Sequence, residues 1–287
     1  MTRQLLCVIP YCVKDVDLTR KLLGWIARIS PKLAPHACLL AADSAVPHET
    51  KVEFNTLAKS IFDFAETAII AVPSDEVGWP KAANAMFRIA SLHIESCFQL
   101  PWLWLEPDCV PMRASWLDEI ALSYSRCPKK FMGALIQSSQ PPMPPVHLAG
   151  CAVYPPDTGK LMAEFCAPAS TLAFDIGSAG FTVPRSMNTP LIHHHYGTME
   201  LAPTFKAARE PGDAVNVVTL DFVRKEAALF HRTKNGGLID LLREKADSAQ
   251  TRPASAPSAA PEAQGKRSPG RPRKSEPVSS APAPVPA

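Results

Sequence analysis

Two carboxylates separated by one proline, Glu106-Pro107-Asp108, follow directly on the apolar run Trp102, Leu103, Trp104, Leu105. Pro107 stiffens the link, and charges held that close repel each other unless a cation sits between them. Oxygen ligands of this kind favour magnesium or manganese over zinc. Two further stretches carry residue types able to bind metals or move protons. LIHHHYG, Leu191 to Gly197, holds three consecutive histidines. Consecutive strand positions face opposite sides, so His193 and His195 share one face and His194 takes the other. No Cys or acidic partner stands nearby in sequence, so the preferred reading is neutral histidines lining a cleft rather than a zinc site. TLAFDIGSAG, Thr171 to Gly180, carries Asp175 behind Phe174 at the mouth of a Gly-containing loop, a place for a general base or for a helix cap.

The elements that must position these groups are legible from apolar periodicity. Leu5–Ile9 is a compact apolar run ending in Pro10 and Tyr11, a first buried strand. Leu18, Leu22, Leu23, Ile26 and Ile29 recur at helical spacing after Asp15 or Asp17 as cap. Leu39–Ala42, ending in Asp43, and Ala68–Val72 read as the next strands. A helix is expected from Ala82, with Ala83, Met86, Phe87, Ile89 and Ala90 buried. Trp102–Leu105 is the strand that delivers Glu106 and Asp108, and a helix follows from Ala114. Phe131–Ile136 and His147–Tyr154 are later strands, separated by a proline-rich loop, with Gly150 allowing close backbone approach. Strands alternating with helices predict an α/β fold with one mostly parallel sheet and helices on both faces, and such sheets bind ligands at the carboxyl ends of their strands.

At 287 residues the chain accommodates one such domain of about 250 residues and a tail. No apolar stretch reaches the roughly 18 residues a membrane helix needs. The opening MTRQLLCVIPYCVKD shows no small-residue cleavage site, so no signal peptide is expected. The 8 cysteines are scattered without a C-x-x-C pair, which favours reduced, mostly buried thiols in a cytoplasmic protein.

The segment LWLEPDCVPMRASWLDEI resembles the metal-binding segment of nucleotide-sugar glycosyltransferases of the GT-A fold. In that family a strand delivers a D-x-D motif, followed by a hydrophobic residue, a proline and a Trp-Leu pair; here Glu106 stands for the first Asp. The resemblance runs over about residues 4 to 243 and implies roles for the residues named. Pro10, Tyr11 and Asp43 fall where base and ribose are held. Lys81 would contact phosphate and Asn84 a sugar or ribose hydroxyl. Glu106 would serve the donor as well as the metal. In inverting members a carboxylate near Asp175 takes the proton from the acceptor hydroxyl. EAALFHRTKNGGLIDLLR, Glu226 to Arg243, resembles a late element of the fold in which a histidine, here His231, is the third protein ligand to the metal and a Lys, here Lys234, meets the diphosphate. His193 and His195 would then line the acceptor cleft.

From Ala246 the composition turns to Ala, Ser and Pro, with 9 of the 30 prolines, and such a segment cannot bury enough to order itself. Its basic residues are Arg252, Lys266, Arg267, Arg271, Arg273 and Lys274 against Asp247, Glu262 and Glu276, so the net +3 resides there and the body is neutral. Pro269-Gly270-Arg271-Pro272-Arg273-Lys274 matches the AT-hook, a DNA-binding peptide built on Gly-Arg-Pro between basic residues. Gly270 and Pro272 keep the peptide narrow and extended, so that Arg271 and Arg273 can enter an A·T-rich minor groove. Lys266, Arg267 and Lys274 would meet phosphates and make binding salt-dependent.

These readings combine into one expectation: a GT-A-like domain over residues 1–245 and a disordered tail over 246–287 with the AT-hook at 266–274. The activity expected is transfer of a sugar from a nucleotide-sugar donor, with Mn2+ or Mg2+, to a hydroxymethylated pyrimidine in double-stranded DNA. Known enzymes of that kind are encoded by bacteriophages, which would place this one in a host cytoplasm. The alternatives are a glycan or protein acceptor, or a DNA-binding protein without catalysis.

Overall fold

The computed structural model describes residues 4–137, 146–194, 223–231 and 236–251. Its first half alternates strand and helix: β1 (Leu6–Tyr11), α1 (Val16–Ile29), β2 (Leu33–Asp43), α2 (His48–Ile61), β3 (Phe62–Ile70), α3 (Lys81–Cys97) and β4 (Trp102–Trp104). Next come β5 (Cys109–Pro111), α4 (Trp116–Ser125), β6 (Phe131–Ile136) and β7 (His147–Tyr154). Three one-turn helices follow, α5 (Thr158–Leu161), α6 (Phe174–Gly177) and α7 (Ala179–Thr182). The described chain closes with β8 (Ser186–Asn188), β9 (Ile192–His194), β10 (Leu229–His231) and α8 (Gly237–Thr251).

Seven strands form a sheet in the order β3-β2-β1-β4-β7-β6-β8. β7 is antiparallel to both of its neighbours and the remaining pairings are parallel, so β7 alone runs against the others. The sheet is therefore mostly parallel, with helices on both faces. β1 is buried along its whole length because both faces are covered. Cys7, Ile9 and Tyr11 pack with Leu22, Leu23, Ile26 and Phe54 of α1 and α2, while Leu6 and Val8 pack with Phe87 and Ile94 of α3. β3 begins at Phe62, well before the apolar run at Ala68, because an edge strand keeps an exposed side: Phe64 and Glu66 face outward from its first half.

Phe87 is the peg on which the ligand-bearing edge hangs. Its ring lies 3.8 Å from Phe174 in a stacked pair and contacts Trp102, Trp104 and Tyr154 at 5.4, 5.2 and 5.1 Å. One side chain thus fixes β4, β7 and α6 relative to α3, and truncating a core Phe costs about 3–5 kcal/mol.

The large sheet is the one mostly parallel sheet expected, and the structure adds a small one beside it. β5, β10 and β9 form a second, three-stranded sheet in that order, with β10 antiparallel to β5 and parallel to β9. Three-residue strands from three distant stretches carry no periodicity, which is why the sequence does not announce them. One face of this sheet packs on α1 and α8 through Trp25, Val110, Phe230, Leu238 and Ile239. The Trp25 Nε1–H donates to the Pro111 carbonyl at 2.7 Å. α8 continues to Thr251, past Lys245 where the folded unit was expected to end, and Arg28 pairs with Asp247 of that extension.

Candidate metal centre

The carboxylate pair is presented by a β-turn. The Cys109 N–H donates to the Glu106 carbonyl at 2.9 Å, with Pro107 at the second position, where its fixed φ suits the turn. This turn joins β4 of the large sheet to β5 of the small one, so Glu106 and Asp108 stand where the two sheets meet. Because β1 to β4 run in parallel, the place is the carboxyl edge of the large sheet. The reversed strand β7 supplies the floor. Its register, Trp102 with Tyr154 and Leu103 with Val153, carries on to set Gly150 across from Glu106. A Cβ on Gly150 would lie 2.9 Å from Glu106 Oε1 and 3.8 Å from Asp175 Oδ2, so both carboxylates face one bare point of backbone.

The third member arrives from the small sheet. β10 is its central strand, and His231 lies level with Cys109 on one side and His194 on the other. Laterally paired residues share a face, so Cys109, His231 and His194 all look toward the turn. His231 Nε2 is 3.1 Å from Glu106 Oε2 and 3.2 Å from Asp108 Oδ1. Burial alone would push the His231 imidazolium down. The charges of Asp108 and Glu106, with their hydrogen bonds, outweigh it and hold the imidazolium well above the ordinary histidine range.

These residues fit a divalent cation. Glu106, Asp108 and His231 each offer one ligand atom, all within 4.8 Å of one another. Adjacent corners of an octahedron with bonds of about 2.1 Å are about 3.0 Å apart, close to the two spacings found, and the mixed oxygen and imidazole donors suit Mn2+ or Mg2+. Nε2 of His231 faces the space between the two carboxylates, where a cation would bring the compensation that the positive imidazolium brings. Cys109 and Cys151 stand behind His231 with their sulfurs 3.4 Å apart. Burial, with the hydrogen bond to Cys151, raises the Cys109 thiol well above its ordinary range, which keeps it protonated and a poor competitor as ligand.

Asp175, in the first turn of α6, lies beside this group. Desolvation raises its carboxyl, with Glu106 adding to the rise, while His147 and the N–H of Ile176 act in the other direction. Its place is set by Asn84, which is fully buried in α3. Asn84 Nδ2–H donates to the Leu172 carbonyl at 2.9 Å, and its Oδ1 accepts from the Phe174 N–H at 2.8 Å. Asn84 therefore holds the Asp175 segment, and its amide is engaged there rather than toward a sugar or ribose hydroxyl.

Other expected residues fall out as follows. Pro10 is buried within β1, and Tyr11, 1% exposed, packs edge-on against Phe54 at 5.3 Å, so its ring is core and presents no face to a base. Asp43 ends β2 at the carboxyl edge, half-buried, with Oδ1 accepting from the Ala45 N–H at 2.7 Å. Lys81 is exposed at the first position of α3. His193 is buried on the far face of the small sheet, with its ring against Phe230 at 5.1 Å and Nδ1 accepting from the Arg224 N–H at 3.3 Å, so it does not line the cleft. Sequence alternation separated His194 from His193, but of these two it is His194 that lies on the site face. Its neighbour His231 is set beside it only by strand pairing across a large gap in sequence. His195, Lys234 and the AT-hook residues Lys266, Arg267, Gly270, Arg271, Pro272, Arg273 and Lys274 lie outside the described residues. Among the described residues no helix is long and apolar enough to cross a membrane.

No protein-family model matches the chain, and neither does any curated protein sequence. Solved structures do. The galactosyltransferase LgtC, in complex with donor and acceptor sugar analogues, superposes with a TM-score of 0.51 at 11% identity, over 87% of this chain and 98% of that one. The bifunctional glycosyltransferase WbbM in its apo form gives 0.50 at 13% identity over 79% of this chain, which spans only 45% of WbbM. The fold is that of the GT-A glycosyltransferases.

Proposed function

We propose, taking the GT-A fold as premise, that the chain is a metal-dependent glycosyltransferase acting on a nucleotide-sugar donor. The observation that carries this reading is the convergence of Glu106, Asp108 and His231 at the carboxyl edge of the large sheet. A divalent cation held there, Mn2+ or Mg2+, would neutralise charge on the departing nucleoside diphosphate. Gly150 leaves the backbone bare beside Glu106, which lets the carboxylates of Glu106 and Asp175 close in on β7. Asp175, its basicity raised by burial, is placed to accept the proton of an acceptor hydroxyl if configuration inverts. Asp43 and Lys81, at the same edge, are available to the ribose and the phosphates.

The acceptor we propose is a hydroxymethylated pyrimidine in double-stranded DNA, on the strength of the Gly270-Arg271-Pro272 core in the tail. A tethered minor-groove peptide raises the local concentration of duplex at a neutral catalytic body. A hydroxymethyl group is reached in the major groove or after the base is flipped out. A sugar acceptor is the second reading, favoured by LgtC having been solved with an acceptor sugar analogue.

The test is transfer across a panel of nucleotide sugars with Mn2+, on plain and hydroxymethylated duplexes. Transfer to the hydroxymethylated duplex alone supports both halves. Donor hydrolysis without DNA transfer keeps the metal reading and discards the DNA acceptor; inactivity in every condition discards the enzyme. Removal of residues 252–287, a cut that spares α8, is expected to weaken transfer to DNA and flatten its salt dependence.

A further inference from the structure

We infer, on the reading that His231 is a metal ligand, that His194 is a positioning residue that fixes the tautomer of His231 and thereby sets metal affinity. The two rings meet edge to face with centroids 4.6 Å apart, and Nδ1 of one lies 2.8 Å from Nδ1 of the other. Two ring nitrogens at that distance share one proton, so one donates and the other accepts. The far nitrogen of His231, Nε2, faces Glu106 and Asp108.

That geometry leaves two arrangements. If His194 donates, the proton of a neutral His231 must sit on Nε2 and point between the carboxylates, which blocks a cation. If His194 accepts, His231 carries its proton on Nδ1 and turns the Nε2 lone pair toward Glu106 and Asp108. Only the second arrangement binds metal, and it requires His194 to hold its own proton on Nε2. An imidazole ligand whose other nitrogen donates to a fixed acceptor is both oriented and made more basic. The acceptor is built in by register: β9 and β10 pair in parallel with His194 level with His231, so no side-chain rearrangement is needed to bring the rings together.

The experiment is Mn2+ titration followed by the electron paramagnetic resonance of the free ion. It is run on full-length protein with Mn2+ alone and with an equimolar mixture of nucleoside diphosphates. The proteins are wild type, His231→Ala, His194→Phe and His194→Asn. Wild type is expected to bind, and His231→Ala to mark the floor. His194→Phe should weaken Mn2+ about 10- to 100-fold, the range usual for loss of a ligand's outer partner. His194→Asn, whose Oδ1 can accept near the position of the lost Nδ1, should recover affinity to within about threefold of wild type. Long-range 15N–1H correlation spectra of the metal-free wild type, taken at a pH high enough for His231 to have lost its second proton, should show the remaining proton on Nδ1, a readout that needs no variant to fold. His194→Phe binding as tightly as wild type, or a neutral His231 that keeps its one proton on Nε2 in the metal-free protein, would overturn the role of His194 and leave the metal site standing. Wild type binding no better than His231→Ala would overturn the metal reading and this inference with it.

Discussion

The two sheets build one site by opposite means. The large sheet contributes through continuity: β4 runs straight into the Glu106–Cys109 turn, so both carboxylates come from one short stretch whose backbone is fixed by a buried Trp-Leu-Trp strand and a proline. The small sheet contributes through assembly: β5, β10 and β9 are each three residues long and come from separate parts of the chain, yet their register sets Cys109, His231 and His194 side by side. The first mode gives charge, held rigidly. The second gives direction, since the imidazole that ligates a cation is neutral and its value lies in where its lone pair points. A site divided in this way should fail differently when each half is damaged.

The largest effect is expected on the carboxylate side. Glu106→Gln with Asp108→Asn removes both charges while keeping shape, and should lower Mn2+ affinity and sugar transfer by at least about 100-fold. It should also let His231 fall back toward ordinary basicity, because the charges that hold its imidazolium are gone. A double variant that still turns over normally would end the division proposed here, and the enzymatic reading too.

Next in size is Asn84→Ala, which strikes the large-sheet side at a distance from the metal. The Leu172 carbonyl and the Phe174 N–H would lose their partner, at a cost of about 1–3 kcal/mol in denaturant unfolding. Transfer should drop as α6 and Asp175 loosen, while Mn2+ affinity should hold, since none of the three ligands touches Asn84. Equal losses in both would mean that α6 and the metal group are one unit, and the comparison between sheets would need redrawing.

Those two variants also mark where sequence reading worked and where it stopped. Glu106 and Asp108 were legible because strand, proline and turn are contiguous, and contiguity is what periodicity detects. β6 and β7 were placed residue for residue, as unbroken apolar runs between turn residues. His231 was reached through resemblance, not pattern, since three-residue β10 has none. Tyr11 looked available because it follows an apolar run, but β1 continues through it and its ring is spent on Phe54. Asn84 looked like a polar residue facing a ligand, and its partners lie 88 and 90 positions away. His194 was passed over because alternation tells which residues share a face but not which face is inward. What the sequence hides is lateral neighbours, and the histidine half of the site is made of them.

Gly150→Ala tests the seam itself. The new methyl would sit 2.9 Å from Glu106 Oε1, against the end of a flexible side chain and not against backbone. The fold should therefore change in stability by less than about 1 kcal/mol, while the displaced carboxylate weakens Mn2+ about tenfold. If Mn2+ binding is untouched, Glu106 has room to spare and the floor of the site is not β7.

The smallest effect sharpens the contrast between two carboxylates a short distance apart. Glu106 has an imidazolium across from it; Asp175 has burial and a like charge, which raise its carboxyl. A carboxyl whose folded pKa lies above its unfolded value of about 3.9 subtracts from stability. The penalty is absent below the unfolded value, grows as pH rises from the unfolded to the folded value, and is complete above the folded one. Asp175→Asn keeps an acceptor for the Ile176 N–H and sheds the buried charge. In metal-free protein it should raise the thermal midpoint slightly at pH 7, with the gain vanishing as pH falls through the carboxylate range, even as transfer is lost. A gain independent of pH would point to packing, and no gain at all would mean that Asp175 is well solvated, leaving it with the basicity of an ordinary aspartate.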